Sequence, residues 1–155
     1  MRATFPEIEQ YLKLLEETPR RIKRITSSFD EARLQRKTEK LPWSVNDILA
    51  HLRSCADVWG DSIFAMLAAE NPKVAYRHPR QWIKKTDYLQ LSFQESFQAF
   101  VTQRRKLLKS LKSLSFEDWS RAAIIQGREH TVFTQARRIA THENVHCEQI
   151  ESLLN

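Results

Sequence analysis

Residues 43–72 read WSVNDILAHLRSCADVWGDSIFAMLAAENP, and their pattern settles most of the architecture. Ser44 can cap a helix, Asp47 three residues on can return the bond, and Trp43 can staple onto Ile48. Val45, Ile48, Leu49, Leu52, Trp59, Ile63 and Met66 then recur at helical spacing and form one apolar stripe. The helix should end before Asn71 and Pro72, because the residue preceding a proline is pushed out of the helical region. Such a stripe is buried only when it meets others of its kind.

Three more stripes occur. Residues 5–27 carry Ile8, Leu12, Leu15, Ile22 and Ile25, with Thr18 and Pro19 expected to break or restart the helix. A third helix starts at Ser92, with Glu95 as its capping partner, and continues through Phe93, Phe97, Phe100, Leu107, Leu111 and Leu114. The last runs from Thr131 to about Leu154 along Phe133, Ala136, Ile139, Val145, Ile150 and Leu153. Four stripes bury one another in an all-α four-helix bundle. A long loop, residues 72–85, joins the second and third helices, with Tyr76, Pro79 and Trp82 folding it onto the body. Residues 115–119 read as a short helical turn, and residues 29–41 are polar and weakly patterned. Residues 122–130, with Gly127 as a turn residue, read as a short extended connector or small hairpin before the fourth helix.

The 155 residues suit a single domain, 1–155. With 41% hydrophobic and 28% charged residues the chain is not a disordered one, and 2 glycines are too few for a sheet-rich fold of this length. There is no apolar run of membrane-spanning length, and MRATFPEIEQ lacks the apolar stretch of a signal peptide, so the expectation is a cytoplasmic protein without a membrane partner. Two cysteines, Cys55 and Cys147, make no disulfide framework. The net charge of +6 comes from basic groups scattered through Arg20, Arg21, Lys23 and Arg24, Lys84 and Lys85, and Arg104, Arg105, Lys106, Lys109 and Lys112. Interleaved with acids, these read as solvated helix faces, and no nucleic acid is expected.

The chemistry lies in the histidines. His142 and His146 are four residues apart, so on a helix they share one face with Cβ atoms about 5–6 Å apart, a spacing one metal ion can bridge. Their stripe also holds Ile139, Gln149, Ile150 and Leu153, which turns both imidazoles toward the bundle interior or one of its open ends. His51, beside Ile48, Leu52 and Cys55, points inward from the second helix. Three neutral imidazoles from two helices would make a facial ligand set with a position left for water or substrate. Core histidines satisfied by other groups are the bland alternative. HENVH, residues 142–146, also spells the H-E-x-x-H helix of metalloproteases, where Glu is the general base. A metzincin would need Gly at 149 and His at 152, and this chain has Gln149 and Ser152.

Trp43-Ser44-x-x-Asp47-x-x-x-His51-Leu52, followed about ninety residues later by His142-x-x-x-His146-x-x-Gln149-Ile150, resembles the DinB-like family of metal-binding helical bundles, which includes the YfiT-like proteins. The resemblance runs from about Leu12 onward in motif and in element order. It implies a four-helix bundle holding a divalent metal, nickel or zinc, on His51, His142 and His146. It further implies a metal-dependent enzyme acting on a small molecule: a transferase using a low-molecular-weight thiol as cosubstrate, with a coordinated thiolate as nucleophile, or a hydrolase using activated water. A homodimer is implied too, while a non-catalytic metal-binding or interaction bundle is the alternative. No catalytic role carries over to Glu143, which at about 100° from His142 would lie behind the ligands or face solvent. Cys55 reads as a buried thiol, and Trp59 and Trp82 as core and loop anchors. Arg128 and His130 read as exposed connector residues, or as groups that meet an anionic thiol.

Overall fold

The computed structural model describes residues 2–155. Its chain order is α1 (Phe5–Thr26), α2 (Glu31–Leu34), α3 (Val45–Ala68), β1 (Lys73–Val74), α4 (Pro79–Trp82), α5 (Phe93–Lys112), β2 (Ala122–Ile125), β3 (Arg128–Thr131) and α6 (Val132–Leu154), with 3-10 turns at Ile83–Lys85, Tyr88–Gln90 and Glu117–Ser120. The four long helices, α1, α3, α5 and α6, form the bundle. Each is preceded by a side-chain cap: Thr4, Ser44, Ser92 and Thr131 all accept a backbone N–H three residues on, and in each the residue at that position returns the bond. Around the bundle the order is α1, α6, α3, α5, so α1 and α3, consecutive in the chain, face each other across the diagonal.

The expected break at Pro19 does not occur, because α1 runs through it. Thr18 does not cap a new helix; its hydroxyl donates back to Leu14 O at 2.9 Å. Proline has no N–H to give the carbonyl four residues earlier, which leaves Leu15 O without its helical partner. Arg104 on α5 takes that place, donating from Nη1 at 2.8 Å. Arg104 is only 3% exposed, which corrects the reading of residues 104–112 as wholly solvated.

Apolar contacts divide into two clusters. One holds Leu15, Cys55, Trp59, Ile63, Leu107 and Ala140. The other holds Ile22, Ile48, Leu52, Phe100, Cys147 and Ile150. Thr18, Arg104 and Glu143, all buried, lie between them in sequence on α1, α5 and α6 and form a polar layer across the middle of the bundle.

The connecting segments are more ordered than their polar composition suggests. β2 and β3 form a hairpin in which Ile125 pairs Arg128 across Gln126 (φ 51°) and Gly127 (φ 74°), the left-handed pair that a type I′ turn requires. β1 pairs in parallel with β2, Lys73 with Ile124 and Val74 with Ile125. The hairpin is the one that Gly127 suggested, whereas the pairing of β1 with it, which ties the segment after α3 to the connector before α6 in one small sheet, was not announced by periodicity or turn chemistry. The segment at 79–90 is pinned by Asp57 on α3, which accepts from Trp82 Nε1 at 2.9 Å and Tyr88 O–H at 2.6 Å, and by Pro79 O, which accepts from Ser54 at 2.7 Å. Trp82 is therefore a loop anchor, as its position suggests. No described helix is long and apolar enough to cross a membrane.

Candidate metal centre

His51 projects from the second turn of α3, and His142 and His146 project from successive turns of α6, the helix packed against it. The Nε2 atoms of His51 and His142 are 3.2 Å apart, and those of His142 and His146 are 3.1 Å apart. One ligand-capable atom from each of the three residues lies within 4.8 Å of the others. Separations of this size suit nitrogens each about 2.0–2.1 Å from one ion. All three rings are half-buried.

The protonation states suit ligation. Burial, followed by the charges of His146, Arg80 and His78, lowers His51 to about 4. Burial, followed by His146, His51 and Arg138, lowers His142 to about 4. Both rings are neutral at pH 7, as ligands must be. His146 Nδ1 lies 2.8 Å from Gln149 Oε1, an acceptor only, so the N–H sits on Nδ1 and the Nε2 lone pair is left facing the other rings. His142 turns Nε2 toward both other rings, and its Nδ1, on the far side of the ring, is buried without a partner. Trp43 meets His51 edge-on with centroids 5.2 Å apart, and Trp59 meets His142 the same way at 5.0 Å. Trp59, buried, and Trp43, exposed at the rim, flank the histidines.

Glu143 belongs to neither of the surroundings expected of it. It is 1% exposed and turned into the core, where Arg104 Nη1 donates to Oε1 at 2.9 Å and Nη2 donates to Oε2. With both carboxylate oxygens held by one guanidinium, Glu143 is not poised as a general base. Burial pushes its carboxyl up while Arg104 holds it down. Cys55 is buried as expected, its Sγ 3.6 Å from His51 Nε2, and burial pushes its thiol up to about 12. Arg128 is exposed on β3 and His130 half-buried beside it.

The sequence reading did not find Arg104, the rim position of Trp43 or the tautomer-setting bond of Gln149. Arg104 had one signal, since Pro19 inside an unbroken helix must orphan Leu15 O and some donor must answer it.

The sequence profile of the DinB superfamily matches residues 14–150 of this chain. Among solved structures the chain resembles one from Bacillus subtilis, YfiT, described as a probable metal-dependent hydrolase with an unusual four-helix bundle topology. The two superpose with a TM-score of 0.78 at 16% sequence identity, over 97% of this chain and 87% of the other. No curated protein matches the sequence significantly.

Proposed function

The chain belongs to the DinB superfamily, and from that premise we propose that it is a divalent-metal-dependent enzyme acting on a small molecule, with His51, His142 and His146 as the ligands. The observation that carries the reading is the convergence of three imidazoles, Nε2 to Nε2 at 3.1–3.2 Å, with no carboxylate among them. When bound, a divalent ion on three neutral ligands keeps its charge and lowers the pKa of a coordinated water or thiol. His51 and His142 contribute by being neutral at pH 7. Gln149 contributes by holding His146 in the ligating tautomer. Trp43 and Trp59 contribute by packing edge-on against His51 and His142 and holding those rings in place. Activated water attacking an ester or amide is the favoured reaction, supported by the description of the similar Bacillus subtilis structure. Thiol transfer to an electrophile is the alternative implied by the motif resemblance. Nickel and zinc both suit an imidazole set.

The test is elemental analysis of protein purified without a chelator or histidine tag, beside His51→Ala and His146→Ala variants. The expected result is one equivalent of nickel or zinc in the parent and none in either variant. Undiminished stoichiometric metal in the variants, or no uptake by the parent on addition, refutes the assignment. Metal-loaded protein is then assayed against ester and amide panels, and against electrophiles in the presence of low-molecular-weight thiols.

A further inference from the structure

On the sheet side of the histidines lies a second cleft of about 210 Å³, walled by α3, α6 and the three strands. Trp59 is the shared partition, meeting His142 on one side and lining this cleft on the other. Three guanidinium groups line the cleft, those of Arg77, Arg128 and Arg138. Arg77 is neutralised by Asp61 at 2.6 Å and stacks on Trp82. Among the described residues neither Arg128 nor Arg138 has an acidic partner within 4.0 Å. Arg138 is nonetheless held in place, its guanidinium 4.3 Å from the centroid of the Trp59 ring.

Gln135 adds an independent observation. It lines the same cleft, is 2% exposed, and donates from Nε2 to Ser62 Oγ at 2.9 Å. Ser62 gives its only proton to Trp59 O at 2.6 Å, so it has none to offer Gln135, and this chain of bonds fixes which way the amide points. Gln135 Oε1 is left as a buried acceptor without a partner. His130, also on the wall, is held below its ordinary range by burial and by the charges of Arg138 and Arg128. Two uncompensated cations thus face a small cleft beside an acceptor that lacks a donor.

We infer that this cleft is a subsite for the anionic end of a small-molecule ligand, a carboxylate or phosphate gripped by Arg128 and Arg138. Guanidinium forks match these oxyanions in geometry as well as in charge. Arg138 stands one turn before His142 on α6, about 6 Å along the axis. A ligand anchored in the cleft therefore leads past Trp59 toward the three histidines, and in this last respect alone the inference rests on the proposed function.

The test is a titration of chelator-treated, metal-free protein with inorganic phosphate and, separately, with succinate, followed by the NMR resonances of the Trp59 indole and Gln135 side-chain amide. The expected result is saturable shifts centred on the cleft for at least one oxyanion, the tighter of the two naming the preferred headgroup. Arg128→Gln and Arg138→Gln should each weaken binding by about tenfold or more, whereas Lys109→Gln, the same charge change on α5, should leave it unchanged. Absence of saturable shifts with both anions overturns the inference. Equal weakening in Lys109→Gln does so too, since it would reduce the effect to general attraction by a basic surface. Because no metal is present, the result does not depend on whether the histidines hold one.

Discussion

Replacing Arg104 with methionine removes a single buried cation from the meeting point of three helices. The change strips Glu143, 1% exposed, of the two hydrogen bonds it accepts from the guanidinium, and it strips Leu15 O of the donor that compensates for Pro19. Breaking a buried pair from one side costs about 3–5 kcal/mol, because the remaining charge is stranded. An orphaned buried carbonyl adds about 1–3 kcal/mol. The sum is a large share of the roughly 5–15 kcal/mol that holds a domain of this kind together. The assay is urea unfolding followed by circular dichroism, with the double variant Arg104→Met plus Glu143→Leu as the control. That variant exchanges the pair for apolar groups and should recover most of the loss, leaving only the carbonyl term. A loss below about 1 kcal/mol in the single variant, or no recovery in the double, would refute the claim that the pair is a buried, mutually dependent unit.

Gln149→Ala should weaken metal binding about tenfold, because His146 loses the acceptor that fixes its tautomer; Gln149→Glu, which keeps an acceptor at that position, should restore most of it, as read by competition with a chromophoric chelator. Stability of the metal-free protein should fall as pH drops from 6.5 toward about 4, since His51 and His142 titrate near 6.5 when unfolded but only at about 4 when folded. In that window the unfolded chain binds protons that the folded chain does not, so stability rises with pH and is fully present above it; a urea midpoint independent of pH across this range would contradict the burial of these rings. Cys55 and Cys147, both pushed up to about 12 by burial, should resist iodoacetamide at pH 8 in the native protein and react only on unfolding, as followed by mass spectrometry.

The bundle was legible because its helices announce themselves locally. Ser44 with Asp47 and Ser92 with Glu95 mark starts that the structure reproduces, and the stripes behind them have one way to be buried. The convergence of His51 with His142 and His146 was legible for the same reason, as helical phase turns all three toward a shared interface. What escaped notice depends on partners distant in sequence. A basic run reads alike whether its members are solvated or not, and only the gap left by Pro19 distinguishes Arg104 from Arg105. The strand Lys73–Val74 has two residues and no alternation to detect; it exists because the hairpin at 122–131 offers it an edge. Glu143 shows the limit of motif spelling, since H-E-x-x-H requires a helix but leaves open which neighbour claims the glutamate.

The division of the three histidines between α3 and α6 sets an order of events in folding. His142 and His146 come together as soon as one helical segment forms, whereas His51, 91 residues earlier in the chain, arrives only when α3 docks on α6. A metal captured by this set would find two ligands early and its third late, unlike a zinc finger, whose closely spaced ligands let the ion organise the chain from the start. The ion would then act as a latch on an assembled bundle, and its release would report the separation of α3 from α6 before the helices themselves unwind.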